Sequence, residues 1–401
     1  MDLDNNIAAY KKALAVMRSA SSANGFLAST IQTDNYARVW TRDGVICGIA
    51  ALASGEPDLI DTFKQTLVTI FSNQHEDGFM PSNVATNGNV SYGGIVGRVD
   101  NPSWAIIGLC LYAQQTQNMD FAWQYKTQVE KAFSVMSAWE FNGKHLMYSP
   151  ISANWADEYI QQGYVLFDQL LRLYALRLAA KIFNNERYFL KAKTIQQVIE
   201  QNYWQHSNAS NLYSVSLERM YHQMAKNQWC MGFTPSQVFT QFDLQSQSLA
   251  LILGLGNEEI KEAVVKNIEK KLNEKDQILA SFSPPIQSKD DDYNILKNNY
   301  AYEFRNKPYE FHNGGLWPVW NGIAAAAVQP YNAQLAIKLE ESIHQANAVS
   351  SINGESWQFN ECLHGLTFQA IGIPFCTWSA AGAVLAHSYN QTNKIINLHE
   401  N

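Results

Sequence analysis

Carboxylates and tryptophans recur together just before apolar segments of this sequence. Trp40 is followed by the pair Arg42 and Asp43, and Trp155 is followed by Asp157. Cleaving a glycosidic bond requires one carboxylic acid that protonates the leaving oxygen and a second carboxylate that activates water or attacks the sugar. Aromatic rings can stack on sugar faces, and an arginine–aspartate pair can bind neighbouring hydroxyl groups. The same residues would equally suit a sugar-binding protein without activity.

Further residues of these types lie in the polar segments between the apolar ones. The additional candidates are Asp100, Glu158, His312, Trp317, Trp357 and Glu361. Some of these candidates also have an ordinary structural interpretation. Asp100 and Asp157 could cap helices, and Glu361 could lie on a surface loop. Arg42 and Asp43 could form an ion pair at a helix start, where the helix dipole stabilises an acid.

The spacing of apolar residues predicts that mainly helices position these candidates. Apolar residues at three- and four-residue spacing predict helices over 8–19, 45–52, 60–71, 104–115, 130–139, 165–183, 186–202, 235–253, 257–272, 322–327, 332–346 and 377–387. Six helical hairpins closed into a ring would fit this pattern, as would a bundle. A solenoid is disfavoured because no repeat of about 20–50 residues is evident.

Three segments between the predicted helices, 74–100, 140–160 and 281–317, are long. Long loops in a compact domain are usually functional, and these segments hold many of the candidates. No change of composition divides the chain, which predicts a single domain over residues 1–401.

Charge and composition exclude several classes of partner. The net charge is −7, and no lysine or arginine cluster suggests nucleic-acid binding. No segment approaches the roughly 20 apolar residues of a membrane span, and residues 1–17 lack the pattern of a signal peptide. The five scattered cysteines never occur in CxxC spacing, which predicts buried thiols and a cytoplasmic location.

Metal and cofactor motifs are also missing from the sequence. The nine histidines show no HxxxH or HExxH pattern, and the acidic run at 290–292 lacks EF-hand spacing. No P-loop, GxSxG or strand-linked GxGxxG occurs. We therefore expect no metal and no cofactor, and a small carbohydrate as the partner. Self-association into a homo-oligomer stays open.

Five segments resemble the alkaline/neutral invertases, in the same order along the chain. They are YARVWTRDGVICGIAALASGEPDL, GFMPSNVATNGNVSYGGIVGRVDNPSWAIIGLCLYA, NWADEYIQQGYVLFDQLLRLYALRLAAKIF, YEFHNGGLWPVWNGIAAAA and WQFNECLHGLTFQAIGIPFCTWSAAGAVLAH. WTRD is similar to the WTRD or WPRD of glucoamylases, and the third segment also resembles debranching-type glucosidases. The resemblance covers nearly the whole chain and implies an all-α fold, the (α/α)6 barrel of these glycoside hydrolases.

The resemblance also implies two catalytic residues. The general acid falls on Asp157, and Glu158 is the competing candidate because glucoamylases place a glutamate just after the equivalent tryptophan. The catalytic base falls near Glu361, with Glu355 as the alternative. An inverting mechanism is implied, for which the two carboxyl groups should lie about 6.5–9.5 Å apart. Burial against Trp155 would favour the protonated form of the acid.

The remaining candidates would form the sugar pocket in this comparison. Those expected to hold hydroxyl groups or shape the walls and floor are Trp40, Arg42, Asp43, Asp100, Trp155, Glu158, His312, Trp317 and Trp357. The implied substrate is a small α-glucoside, with sucrose or a glucosylated small acceptor favoured. Sucrose is in doubt because Glu158-Tyr159 replaces the basic pair that follows the acid in the invertases.

Two other functions stay open on the sequence. A sugar epimerase on the same barrel would use histidines as an acid–base pair, and His222, His312 and His364 are available. A carbohydrate-binding protein that has lost turnover would keep the aromatic and polar residues of the pocket. Two histidines facing one cavity would favour the epimerase, whereas two carboxylates in a tryptophan-lined pocket would favour the hydrolase.

Overall fold

The computed structural model describes residues 3–391 apart from 32, 34, 208, 276 and 351–353. The helices are α1 (Leu3–Ser19), α2 (Thr41–Ser54), α3 (Pro57–Ser72), α4 (Asn101–Thr116), α5 (Met119–Gln124), α6 (Lys126–Ala138), α7 (Leu166–Ile182), α8 (Glu186–Asn202), α9 (Val215–Met220), α10 (Leu244–Ile252), α11 (Glu258–Lys275), α12 (Tyr293–Asn298), α13 (Pro318–Val328), α14 (Ala333–Asn347) and α15 (Thr377–Gln391). One 3-10 turn follows α9, at Tyr221–Gln223.

The strands are short and lie in the connections between helices. They are β1 (Ser21–Ser22), β2 (Gly25–Phe26), β3 (Arg38–Trp40), β4 (Asn83–Ala85), β5 (Val90–Ser91), β6 (Tyr164–Val165), β7 (Gly232–Phe233), β8 (Val238–Phe239), β9 (Phe242–Asp243), β10 (Phe282–Ser283), β11 (Cys362–Leu363) and β12 (Ala370–Ile371). All pairings are antiparallel: β1 with β2, β3–β4–β5, β6–β7–β8, β9 with β10 and β11 with β12.

Six helices form a closed inner ring. Each of α2, α4, α7, α10, α13 and α15 packs against the next, and α15 packs back onto α2. These helices are apolar on nearly every side, as a fully surrounded helix must be; every residue of α13 is buried. Gly322 in α13 and Gly382 in α15 allow the closest approach, since a Cβ at Gly322 would lie 2.2 Å from the Gly382 carbonyl oxygen.

The outer layer consists of α1, α3, α6, α8, α11 and α14, which alternate with the inner helices along the chain. An outer helix buries one face only. In α8 the buried apolar residues Ala192, Ile195 and Ile199 recur at three- and four-residue spacing, while most other positions are in contact with solvent. The twelve outer and inner helices correspond to the twelve predicted segments. The short helices α5, α9 and α12 had no predicted counterpart.

The prediction of one long helix over 235–253 is wrong. The inner helix α10 begins only at Leu244, and β8 and β9 occupy the part before it. The side chain of Asp243 accepts a hydrogen bond from the backbone N–H of Ser246 and so caps α10. An N-cap residue has extended backbone angles, which is why the apolar residues before Asp243 form strands instead of another helical turn.

The connections differ in length at the two ends of the ring. An inner helix leads to the next outer helix through a short turn, such as residues 55–56 between α2 and α3. An outer helix leads to the next inner helix through a long connection, such as 73–100, 139–165 or 203–243. Because the helices alternate in direction, the long connections gather at the end where the inner helices begin, and the candidate residues lie on them.

All five cysteines are buried and unbonded, as the sequence predicts. Within the described part of the chain, no helix combines the length and the apolar character needed to cross a membrane.

Candidate active site

A buried ion-pair cluster joins the first turn of α2 to the start of α4. Arg42 Nη1 lies 3.1 Å from Asp100 Oδ2, and Arg42 Nε lies 3.7 Å from Asp43 Oδ2. Asp100 precedes α4, but its side chain makes no capping hydrogen bond and accepts from Arg42 instead. Burial raises the pKa of Asp43, and the Arg42 guanidinium opposes that rise. Arg42 and Asp43 do form an ion pair at the start of α2, as the structural interpretation expected, whereas the interpretation of Asp100 as a helix cap is wrong.

Tryptophans from α13, from α15 and from the connections before α7 and α13 form a continuous aromatic floor that reaches this cluster. The Trp155 ring centroid lies 5.4 Å from that of Trp317 and 4.9 Å from that of Trp320. Trp378 contacts the same two rings at 5.7 and 5.9 Å. The Arg42 guanidinium lies 5.6 Å from the Trp378 centroid. The floor therefore joins the segment before α7 to α13 and α15, and it reaches the ion pair on α2.

His312 is part of this floor. Its ring stacks on Trp317 with centroids 5.4 Å apart and an interplanar angle of 8°, and its backbone N–H donates to Asn306 Oδ1. Burial lowers the pKa of His312 well below its usual value, and the nearby Arg305 adds to that effect. The imidazole is therefore neutral near pH 7 and acts as a flat polar surface and not as a cation.

Several polar atoms around the floor are buried without a hydrogen-bond partner among the described residues. Leaving a buried donor or acceptor unpaired costs about 1–3 kcal/mol, so such atoms cluster where a polar ligand or water is bound. The donors are Arg42 Nε and the indole N–H groups of Trp104, Trp155, Trp320 and Trp378; the acceptors are Asp43 Oδ2, Asp100 Oδ1 and Asp168 Oδ1. Mixed donors and acceptors above aromatic rings match the hydroxyl groups and apolar faces of a sugar.

Asp157 lies on the connection between α6 and α7. Its side chain is 36% exposed, and its Oδ2 is 2.6 Å from Arg98 Nη2. The nearest following helix, α7, begins only at Leu166, so Asp157 is not a helix cap. The prediction that Asp157 is buried against Trp155 is wrong. Its carboxylate is partly exposed and pairs directly with Arg98. Its charge also acts on Arg42 and Asp43, from beyond hydrogen-bond distance.

Glu158 has different surroundings from its neighbour. Its side chain is 5% exposed, and its Oε1 accepts from Arg305 Nη2 at 3.0 Å. The backbone N–H of Ala301 and the Nε of Arg305 also donate to it. The Arg305 guanidinium lies 4.1 Å from the Phe311 ring centroid. The hydrogen-bonding capacity of Glu158 is therefore used by the connection before α13. This favours Asp157 over Glu158 as the residue that contacts a substrate.

Glu361 is a buried carboxylate on the connection between α14 and α15, not a surface residue. The Tyr36 hydroxyl lies 3.1 and 2.9 Å from its two oxygens and donates to the carboxylate. Burial raises the pKa of Glu361 to about 7, opposed by the Tyr36 hydrogen bond and by Arg305. Gly372, with φ of 76°, leaves the space for this carboxylate: a Cβ there would lie 2.3 Å from Glu361 Oε2. The charge of Asp43 also acts on Glu361, more weakly than those contacts.

A buried polar network supports the segment that carries Asp157. The Oδ1 of Asn154 accepts from the backbone N–H of Ala156, and its Nδ2 donates to Gln161 Oε1 at 2.9 Å. Ser149 Oγ donates to Asp168 Oδ2 at 2.6 Å, and Gln161 Nε2 donates to Asp243 at 3.3 Å. The network ties this segment to the starts of α7 and α10.

Two predicted tryptophans lie at the edge of the group or outside it. Trp40 is half-buried on β3, one residue before α2, and its indole N–H donates to the Asn35 carbonyl. Trp357 packs against Phe359 and under the ammonium of Lys12 in the outer helix α1. These contacts give Trp357 a structural explanation and do not bring it to the carboxylates.

The histidines of the epimerase hypothesis do not meet in one place. His222 lines a separate surface cavity of about 570 Å³ together with Trp204 and Glu218. The Nδ1 of His364 accepts from the backbone N–H groups of residues 366 and 367. Only His312 lies on the floor. In the described residues, no group of three or more His, Cys, Asp or Glu side chains could hold a metal ion.

Sequence reasoning missed Tyr36, Arg98, Arg305 and Gly372. Tyr36, Arg98 and Gly372 lie inside the invertase-like segments, so their positions were available, but none of these residue types stood out as catalytic. Arg305 and Gly372 carry no local signal because their roles depend on carboxylates more than ten residues away.

The fold is that of (α/α)6-barrel glycoside hydrolases, as the resemblance implied. The chain is similar to a GH63 mannosylglycerate hydrolase from Thermus thermophilus in complex with Tris and D-glycerate, with a TM-score of 0.63, 14% identity and coverage of 94% of this chain and 99% of that one. It is also similar to a bacterial glucoamylase complexed with acarbose, with a TM-score of 0.65, 14% identity and coverage of 98% and 56%.

A third similar structure is a rhamnosidase from Klebsiella oxytoca with rhamnose bound, with a TM-score of 0.61, 14% identity and coverage of 96% of this chain and 64% of that one. No protein-family model and no curated protein matches this sequence.

Proposed function

We propose that this protein is an inverting glycoside hydrolase that cleaves a small α-glycoside, with Asp157 as the general acid and Glu361 as the general base. One observation carries the proposal. Two carboxylates on different connections, Asp157 and Glu361, are both electrostatically coupled to Asp43 at the ion-pair cluster. The same cluster meets the aromatic floor where Arg42 lies over Trp378, and several buried polar atoms there have no hydrogen-bond partner among the described residues. Glycosidic hydrolysis requires two carboxylates and a surface that binds the sugar, and these residues would supply both.

The chemistry follows from these positions. The carboxylic acid of Asp157 gives its proton to the glycosidic oxygen as the bond from that oxygen to the anomeric carbon breaks. The carboxylate of Glu361 takes a proton from a water molecule, whose oxygen bonds to the anomeric carbon on the opposite face. The anomeric configuration is inverted, and both carboxyl groups return to their starting states by exchanging one proton with solvent. Arg42, Asp43 and Asp100 would hold the sugar hydroxyls.

The similar structures favour a small substrate over a polymer. The first similar structure is a mannosylglycerate hydrolase, an enzyme for a sugar on a small acceptor, and this chain covers 99% of it. The chain covers only 56% of the glucoamylase. We infer a hexose joined to a small acceptor, with glucosides favoured by the invertase-like segments and mannosides by the first similar structure.

The test is hydrolysis of a panel of small α-glycosides followed by proton NMR of the sugar released. The panel contains sucrose, glucosyl and mannosyl glycerates, glucosylglycerol and trehalose. We expect at least one to be cleaved with the β-anomer appearing first, and Asp157→Asn to lower that rate by about 10²–10⁴-fold. Glu355→Gln, which changes an exposed glutamate close to Glu361 in sequence, is the matched control and should act as wild type.

Two outcomes would contradict the proposal. Appearance of the α-anomer first would exclude inversion, and full activity of Asp157→Asn would exclude its role as the acid. A wild-type protein that binds glycosides of the panel without cleaving any would support the alternative of a non-catalytic carbohydrate-binding protein. The arrangement of the histidines gives the epimerase alternative no support.

A further inference from the structure

The connection from α8 to α10, residues 203–243, builds a cavity of its own. Only its last residue, Asp243, contacts the polar network beside the candidate active site. Residues of the stretch 204–227 line a surface cavity of about 570 Å³, which falls within the roughly 300–1,000 Å³ of small-molecule sites. Long loops in a compact domain are usually functional, and the proposed catalysis does not account for this one.

Hydrogen bonds join the two sides of the cavity. The Tyr221 hydroxyl donates to the Trp204 carbonyl and accepts from the His206 N–H at 2.9 Å. Gln205 Nε2 donates to the carbonyl oxygens of Tyr221 and His222, both at 3.3 Å. The walls are therefore fixed in position before a ligand arrives, which lowers the ordering cost of binding.

The stretch is also anchored to the core at its ends. The Cys230 N–H donates to the carbonyl of the fully buried Tyr203 at 2.7 Å. The backbone of Trp229 exchanges two hydrogen bonds with the Gln247 side chain of the inner helix α10, at 2.9 and 3.0 Å. Trp204 packs edge-on against Trp229 with ring centroids 5.2 Å apart. The indole in the cavity wall is thus supported by the inner ring.

The lining combines this aromatic wall with donors and acceptors. Trp204 is half-buried, so part of its ring faces the cavity that it lines. His206 Nε2 lies 2.9 Å from the Glu200 carbonyl oxygen. Because a carbonyl only accepts, Nε2 carries the proton, and Nδ1 of the neutral ring is an acceptor. Glu218 adds acceptors and Lys226 adds donors.

The charges of the lining narrow the class of ligand. The Glu218 carboxylate and the Lys226 ammonium carry opposite charges, so the cavity offers no net charge that would select an anion or a cation. An aromatic face beside mixed donors and acceptors matches a pyranose, which has an apolar C–H face and a rim of hydroxyl groups. The lining therefore favours a neutral sugar over a phosphate, a nucleotide or a metal ion.

We propose that this cavity is a second carbohydrate-binding site, in which a pyranose stacks on Trp204 and its hydroxyl groups bind Glu218, His222 and Lys226. The site is formed by one connection and needs neither of the carboxylates proposed for catalysis. The inference therefore does not rest on the proposed function, and it applies equally to a hydrolase and to a non-catalytic carbohydrate-binding protein.

Fluorine NMR of protein labelled with 5-fluorotryptophan tests the site directly. The signal of Trp204, one of eleven tryptophans, is assigned by its loss in Trp204→Phe. Methyl α-glucopyranoside and methyl α-mannopyranoside are titrated into the millimolar range in Asp157→Asn, which suppresses turnover. We expect the Trp204 signal to shift saturably, while the signal of Trp123, exposed on α5, stays in place. Glycerol, a polyol without a ring face, should move neither signal.

A double substitution tests the polar side of the cavity. Glu218→Ala combined with His222→Ala changes two exposed side chains, so the fold should be intact. We expect the affinity at Trp204 to fall by about tenfold or more, as when hydrogen bonds to a ligand are lost. Glu259→Ala, at an exposed position of α11, is the matched control and should bind as the parent does. The double variant should keep the wild-type kcat and KM for any glycoside that is cleaved.

The outcomes separate this inference from the proposed function. A Trp204 signal that neither glycoside moves, or that glycerol moves equally, would overturn the second site. Equal affinity of the double variant and Glu259→Ala would overturn it as well. Absence of cleavage by the wild-type protein would count against the hydrolase alone, because the shift of the Trp204 signal does not depend on turnover.

Discussion

The surroundings of the proposed acid, Asp157 with Arg98, and those of the proposed base, Glu361 with Tyr36 and Gly372, differ in exposure, in charge and in the kind of hydrogen-bond partner. The Asp157 carboxylate is partly exposed and ion-paired with a residue of a loop. The Glu361 carboxylate is buried and hydrogen-bonded to a neutral phenol, and its position is fixed by a glycine against which it packs. One carboxylate is partly exposed and paired with a charged group, and the other is buried and bonded to a neutral one.

This difference fits the separate demands of inverting hydrolysis. The acid must reach leaving groups of varied shape and must exchange its proton with solvent in each turnover, so partial exposure suits it. The base must hold one water molecule in line with the anomeric carbon, and a misplacement of about 1 Å can cost roughly 10²-fold in rate. The rigid surroundings of Glu361 meet that demand.

The largest effect on the base side should come from Gly372→Ala. The added Cβ would lie 2.3 Å from Glu361 Oε2 at a φ of 76°, so the carboxylate must move. We expect kcat for a good glycoside substrate to fall by about 10²-fold. Gly354→Ala is the matched control, because its φ is 74° but no atom lies within 4 Å of the added Cβ. Equal kinetics of the two variants would show that the base position is not tightly defined.

A smaller effect should follow from Tyr36→Phe. The Tyr36 hydrogen bond opposes the rise in the Glu361 pKa caused by burial. Glu361 must be ionised to act as a base, so kcat/KM falls as the pH drops through about 7, and the variant should move this acid limb to higher pH. The measurement is the kcat/KM profile from pH 5 to 9 with α-glucosyl fluoride, whose fluoride leaves without a proton, so that the profile reports the base alone. Tyr203→Phe, which removes a buried hydroxyl bonded to the Tyr164 carbonyl, should leave the limb in place; an unmoved limb in Tyr36→Phe would contradict the account.

The sequence predicted the helical framework well because that framework depends on local periodicity. The twelve segments with apolar spacing correspond to the six inner and six outer helices of the ring, and their number suggested six hairpins. The error at 235–253 arose because β8 and β9 are apolar, and apolar residues in short strands are not distinguished from helix by spacing alone.

The site was predictable only in part, for physical reasons. Arg42, Asp43 and Asp157 lie in segments whose resemblance to known enzymes is recognisable, and the structure brings them together. Trp357 was also predicted to line the sugar pocket, but its ring packs under Lys12 of the outer layer. The direct partners of the two carboxylates, Arg98 and Tyr36, contact them across 59 and 325 residues of sequence. Such contacts form only when the ring of helices closes, so no spacing of residues in the sequence indicates them.

Separate substitution of the two carboxylates, assayed with α-glucosyl fluoride beside a glycoside, tests the central claim most directly. Fluoride leaves without a proton, so the fluoride needs the base but not the acid. We expect Asp157→Asn to lose glycoside hydrolysis by about 10²–10⁴-fold and to keep fluoride hydrolysis, whereas Glu361→Gln loses both. The reverse pattern, in which Glu361→Gln keeps fluoride hydrolysis and Asp157→Asn loses both, would show that the buried carboxyl is the acid and would contradict the account.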